Sequence, residues 1–256
     1  MTPEPPPTDL AALPEPPPPE KYPFWSYLDL GAFVLIAALG ILLESLLAAV
    51  FVDARHVKQI YVLFPAQCLL YAFLLGVLAV MFRRYYGRPF WHSLRWDPPN
   101  RSLSFVCGLG IAMAFFVVCA SVLIRTPEVE SPMSKLLADP TSAILLALLG
   151  VTIGPVCEEI VFRGFLQPLL VRSVGAAGGI LLAAVPFGLL HLQEYGYSWR
   201  HALLITLAGA SFGWMRYRTG STKAAALMHA SYNGVFFLLL VLQQIAAHGR
   251  WAGYGK

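Results

Sequence analysis

The sequence predicts an all-α fold: a polytopic membrane helix bundle of about seven transmembrane helices around a buried polar cavity. Three observations carry this. Of 256 residues only 12% are charged and 57% are hydrophobic, with a mean hydropathy of +0.64, whereas a soluble chain carries about 25% charged residues. The apolar residues gather into seven stretches, each approaching the roughly 20 residues that cross a bilayer. Within one of them stands Val156-Cys157-Glu158-Glu159-Ile160-Val161-Phe162-Arg163, two acids and an arginine where lipid demands a partner, a wet cavity or a chemical task for each charge.

Taken in order, residues 1–24 contain Pro5-Pro6-Pro7 and Pro16-Pro17-Pro18-Pro19 and are expected to form an extended, disordered tail, because proline supplies no ladder hydrogen bonds. No basic segment followed by a short apolar core marks a signal peptide there. Spans are expected from Gly31 to Val52, Ile60 to Phe82, Leu103 to Ile124, Ala143 to Leu170, Val174 to Leu192, Ala202 to Tyr217 and Ala224 to Ala247. The fourth exceeds a crossing length and encloses Pro155, which predicts a tilt or kink. Residues 25–130 then form the N-terminal helices with a basic cytoplasmic loop, 131–248 the functional core and 249–256 a short tail.

Basic residues in short loops favour the cytoplasm. Arg83, Arg84, Arg88, Arg95 and Arg101 follow the second span, and Arg216, Arg218 and Lys223 follow the sixth. Seven crossings put both groups on one side with the tail, giving a multi-pass protein of the cell's inner membrane with a cytoplasmic N-terminus. Phe90, Trp91 and Trp96 are expected at the headgroup level. The net charge of +4 is modest and scattered among loops, so no nucleic-acid partner is expected. Gly209 and Gly213 form a GxxxG pattern that permits close helix approach. Cys68, Cys107, Cys119 and Cys157 show no metal-ligand spacing and read as packing residues. Glu44 is a further intramembrane acid, expected to pair with a basic or amide group within the bundle or, as the alternative, to rim a substrate path.

Helical spacing divides the charged stretch. Glu159 and Arg163 stand four apart with the acid first, the better order for an ion pair, whereas Glu158 points about 100° away and has no local partner. Two further pairs stand four apart: Phe187 with His191, and His229 with Asn233. A carboxylate, two histidines and an amide suit peptide hydrolysis, with Glu158 as general base toward water, one histidine sharing its proton, and the other histidine with Asn233 donating to the oxyanion. No cofactor is favoured. The alternative is zinc or another divalent metal held by Glu158, His191 and His229 with water in the fourth position, although no HExxH is present.

Glu-Glu-Ile-Val-Phe-Arg, Phe-Gly-Leu-Leu-His and His-Ala-Ser-Tyr-Asn, at Glu158, Phe187 and His229, resemble the EExxxR, FxxxH and HxxxN motifs of the CAAX-protease and bacteriocin-processing (CPBP/Abi) family of intramembrane endopeptidases, type II CAAX prenyl endopeptidases among them. The resemblance spans about Pro132 to Asn233 and departs at no motif position. It implies a helical membrane endopeptidase with a cavity open to the cytoplasm. Glu158 would activate water, Glu159 and Arg163 complete the first motif, Phe187 and His191 form the second, and His229 with Asn233 stabilise the oxyanion. The expected partners are the lipid bilayer and a membrane-anchored peptide or protein substrate, prenylated CAAX-like or a leader. The alternatives are a non-catalytic scaffold or self-immunity protein, and a proton-coupled transporter, which the lack of inverted repeats disfavours.

Overall fold

The computed structural model describes residues 21–55, 58–128, 130 and 132–248, and its described elements are all helical. They are α1 (Tyr27–Arg55), α2 (Ile60–Tyr85), the short α3 (Phe90–Ser93), α4 (Leu103–Leu123), the short α5 (Pro132–Leu137), α6 (Pro140–Leu148), α7 (Gly154–Glu159), α8 (Gln167–Leu190), α9 (Trp199–Thr219) and α10 (Thr222–His248). Wide π-helical turns, Leu149–Ile153 and Ile160–Leu166, join α6 to α7 and α7 to α8. The first immediately precedes Pro155, whose ring and missing N–H are incompatible with a regular α-helical bond to the preceding turn. The expected irregularity of the fourth span is therefore a pair of widened turns flanking Glu158 and Glu159.

Five helical stretches are long and apolar enough to cross a membrane, the fourth being the 51-residue run Pro140–Leu190. Gly175, at φ 79°, breaks that run in the left-handed region open to glycine. Beyond the break the chain doubles back, and a Cβ on Gly179 would collide with the backbone of Val171. The run thus contains both the fourth and fifth expected spans. Helix α9, which carries Arg200, His201, Arg216 and Arg218, is not among the five apolar stretches.

The bundle has two distinct ends. At one, residues 21–26 dock on the helices: Trp25 is 1% exposed and its indole donates to the Phe165 carbonyl at 3.1 Å. Arg216 donates to the Tyr22 hydroxyl at 3.1 Å, and Thr222 bonds the carbonyls of Leu94 and Arg95 at 2.6 and 2.9 Å. The expected tail thus ends in a folded segment, while residues 1–20 lie outside the described residues. At the other end, Lys58 pairs with Asp139 at 2.9 Å, and Arg200 donates to the Arg125 carbonyl at 2.6 Å. Asp139 also caps α6 through the Ser142 amide at 2.9 Å. The Lys58 hydrogen bond, followed by those from Ser142, holds its carboxyl down at about 2.

Two apolar clusters fill the bundle. Trp25, Phe33, Leu78, Phe82, Leu94 and Phe165 form one, joining the N-terminal segment to α2 and the second π turn. The other lies among α4, α9 and α10, around Val106, Ala114, Phe212 and Met228. Leu35, Leu39, Leu42 and Leu46 of α1 remain exposed, the outward apolar face that a bilayer covers. Phe90 and Trp91 of α3 meet edge to face, and Trp91 packs in turn on a tilted Trp96, giving the expected aromatic group at a bundle end. Among the described residues no hydrogen bond or ion pair of Glu44 is found, so its expected pairing is not seen.

Helices α4 and α10 touch at Gly110, where a Cβ would overlap the Met228 carbonyl, whereas one on Gly108 would meet nothing within 4 Å. Gly110→Ala is expected to cost about 1–3 kcal/mol through overpacking, lowering the melting temperature of the detergent-solubilised protein, with Gly108→Ala unchanged as its control.

Candidate active site

The site begins with a buried cation. Arg163 and Glu159 are each 0% exposed, and Arg163 Nη1 donates to Glu159 Oε1 at 3.0 Å, the predicted pairing. The guanidinium also donates through Nη2 to the Gly209 carbonyl at 2.7 Å, and Gln167, one turn on, donates to the Gly213 carbonyl at 2.9 Å. The two glycines of the GxxxG pattern therefore do more than bring helices together. Side chains there would meet Arg163 Nη2 at 2.9 Å and Gln167 Oε1 at 2.6 Å, so glycine keeps both backbone carbonyls within reach of polar groups from the neighbouring helix.

Glu159 is not confined to its ion pair. Its Oε1 also takes a hydrogen bond from His229 Nδ1 at 3.0 Å, so one carboxylate ties the second π turn to α10. Because a carboxylate only accepts, Nδ1 carries a proton and neutral His229 presents an unprotonated Nε2. That Nε2 lies 4.0 Å from Glu158 Oε2. His191 has the same polarity, since its Nδ1 lies 2.8 Å from the Phe187 carbonyl, which can only accept. In the neutral form, with Nδ1 as the donor, each histidine keeps Nε2 available to accept a proton.

Phe187 is the apolar hub of this cluster. Its ring centroid lies 4.8 Å from that of His191, 5.7 Å from that of His229 and 4.5 Å from the Arg163 guanidinium carbon. Phe212 stacks on a face of His229 at 4.5 Å. The imidazole is therefore fixed by rings as well as by its carboxylate. Asn233 donates to the Gly150 carbonyl at 2.7 Å; the π turn around Gly150 positions the amide, which retains a second N–H.

Glu158 is the part-exposed member, with 22% of its side chain accessible against 0% for Glu159. Tyr71 of α2 donates to its Oε1 at 2.7 Å. This hydroxyl, Gln167, Phe212 and Glu194 were not singled out from the sequence. A lone tyrosine in an apolar span carries no sequence signal, and the position of Gln167 four residues after Arg163 is the one available clue to its parallel role. Glu194 lies in the 3₁₀ turn Gln193–Tyr195 just beyond His191. Burial pushes its carboxyl up, against a downward pull from His191.

The predicted residues therefore converge: Glu158, Glu159, Arg163, Phe187, His191, His229 and Asn233 come together from the long run and α10. The histidine tautomers would suit metal ligands, which characteristically donate their other N–H to a carboxylate or carbonyl. Among the described residues no three His, Cys, Asp or Glu side chains are grouped to hold a metal ion as they are placed.

Fold and site define a multi-pass helical membrane protein with a carboxylate-histidine cluster inside its bundle. Residues 140–235 match the family described as type II CAAX prenyl endopeptidase Rce1-like, a peptidase family. No curated protein and no solved structure matches the chain.

Arg163→Ala is expected to destabilise the protein by about 3–5 kcal/mol, because Glu159 is left charged and buried without its cation. Arg163→Lys is expected to recover only part of this, since lysine lacks the fork that serves Glu159 and Gly209 together; thermal melts in detergent distinguish the three proteins.

Proposed function

We propose that the chain is an intramembrane endopeptidase that hydrolyses a peptide bond of a membrane-anchored peptide or protein, CAAX-like or a leader, using water activated by Glu158. The supporting observation is the 4.0 Å separation between Glu158 Oε2 and His229 Nε2. It is too long for a direct hydrogen bond and suits one water shared by both groups.

In this reading Tyr71 occupies Glu158 Oε1, leaving Oε2 to accept the water proton as the oxygen attacks the peptide carbonyl. Carbon-oxygen bond formation places negative charge on the former carbonyl oxygen. The free N–H of Asn233 is the donor for that oxyanion. His229 joins it by taking the water proton from Glu158 Oε2 onto Nε2, an imidazolium that the Glu159 carboxylate on Nδ1 stabilises until the intermediate collapses. His191 Nε2 relays the proton toward the leaving amine, whose departure breaks the carbon-nitrogen bond. This assigns Glu159 to orienting a histidine as well as to pairing with Arg163. No step runs through a metal, and activity is expected to survive chelators, with elemental analysis as the companion measurement.

Glu158→Ala and His191→Ala are each expected to abolish cleavage while retaining the wild-type melting temperature to within a few degrees. The decisive assay compares membrane peptides from cells carrying wild-type or Glu158→Ala protein, which reveals the substrate and tests catalysis together. Unchanged peptide profiles with an intact cellular phenotype would favour the scaffold or immunity reading. Tyr71→Phe is expected to lower kcat by about 10-fold or more with little change in KM, because the hydroxyl orients the base and lies outside the substrate's binding contacts.

A further inference from the structure

The basic-loop rule places the arginine-rich end of the bundle in the cytoplasm, and the family resemblance implies a cavity open to that same side. In this fold the two expectations cannot both hold. The arginine-rich end comprises residues 21–26, the loop 86–102, Arg172 and the α9–α10 turn, tied together by the bonds of Arg172 to Pro23, Arg216 to Tyr22, and Thr222 to Leu94. The opposite end is tied together by Lys58 with Asp139, Arg200 with Arg125, and the Gln193–Tyr195 turn packed on α5.

Toward the first end the cluster is closed by buried side chains, and toward the second its neighbours are partly exposed. From Glu159 toward Gly175, Arg163 is 0% exposed, Gln167 2%, Phe165 0% and Leu169 0%. In the other direction stand the partly exposed Glu158, His191, Asn233 and Glu194, followed by the exposed Gln193. His191 itself follows the last residue of α8, where the chain emerges at the Lys58–Asp139 end. Polar side chains thus lead from the reactive carboxylate to that end, whereas a packed column closes the route to the arginines.

We propose that the catalytic pocket opens on the extracytoplasmic face, and that its substrates are bilayer-tethered peptides whose scissile bond is presented from outside. The sequence's own charges decide between the two expectations. The first end carries Arg83, Arg84, Arg88, Arg95 and Arg101 in succession. At the second, Lys58, Arg125, Lys135 and Arg200 alternate with Glu128, Glu130, Asp139 and Glu194. Concentrated arginines in a short loop hold that loop on the cytoplasmic side during insertion, which leaves the mouth outside. A peptide still folded in the cytoplasm has no path to Glu158; an exported segment reaches it directly. The substrate class rests on the peptidase reading, whereas the orientation does not.

The test is thiol labelling in intact cells with a membrane-impermeant maleimide. Gln193→Cys marks the pocket end and Asn100→Cys the arginine-rich end; both positions are exposed, and the wild type, whose cysteines lie within helices, is the background. Labelling of Gln193→Cys without permeabilisation, with Asn100→Cys labelled only after it, is the expected result. The reverse pattern would overturn the proposal and make the pocket cytoplasmic. The second arm adds an impermeant lipid-tethered peptide to intact cells. Cleavage lost in Glu158→Ala supports the substrate class; absence of cleavage despite the expected labelling would sink the peptidase reading while leaving the orientation standing.

Discussion

The bundle depends on making a full positive charge acceptable in its interior. A buried guanidinium requires both a counter-charge and acceptors for its remaining N–H groups. Arg163 obtains its counter-charge from Glu159, one turn before it, and an acceptor from the Gly209 carbonyl of α9, while its Nε is left without a hydrogen-bond partner. The second acceptor explains why glycine, rather than merely a small residue, suits position 209. Because the same carboxylate oxygen receives His229, the arrangement that neutralises the arginine also sets the height and rotation of α10. Structural and chemical requirements are met by the same atoms, so substitutions at Glu159 report on both.

Much of this was legible in the sequence because it follows from spacing. The Glu159–Arg163 pair, the division between the two glutamates and the approximate limits of the long apolar helices all follow from helical periodicity and charge in lipid. What spacing could not supply was the path of the chain between α7 and α8. A regular helix drawn through residues 140–170 gives neither π turn, and hydropathy alone does not separate a break at Gly175 from a continuous run. Helix α9, expected as the sixth span, reaches both bundle ends although its charged residues keep it out of the five apolar stretches. Arg200 finds a carbonyl at one end and Arg216 a tyrosine at the other.

Tertiary contacts were legible only where a motif flagged them. The three motifs flagged seven residues that the fold places in one region, but Tyr71 and Gln167 entered through three-dimensional proximity. The histidines illustrate the same limit. Sequence assigns them as polar residues with uncommitted protons, whereas the carbonyl of Phe187 and the carboxylate of Glu159 specify which nitrogen of each carries hydrogen. That difference fixes the direction of proton flow available to the cluster.

The Tyr71–Glu158 hydrogen bond joins α2 to a segment that otherwise accounts for the family match. Its consequence is one of modularity. The matched stretch is not a portable machine: transplanted into another set of N-terminal helices, it would bring its carboxylate and histidines but leave behind the hydroxyl that directs Glu158. Membrane proteins sharing only that stretch are therefore free to differ in how their reactive glutamate is held, with helices outside it acting as interchangeable settings for a common core.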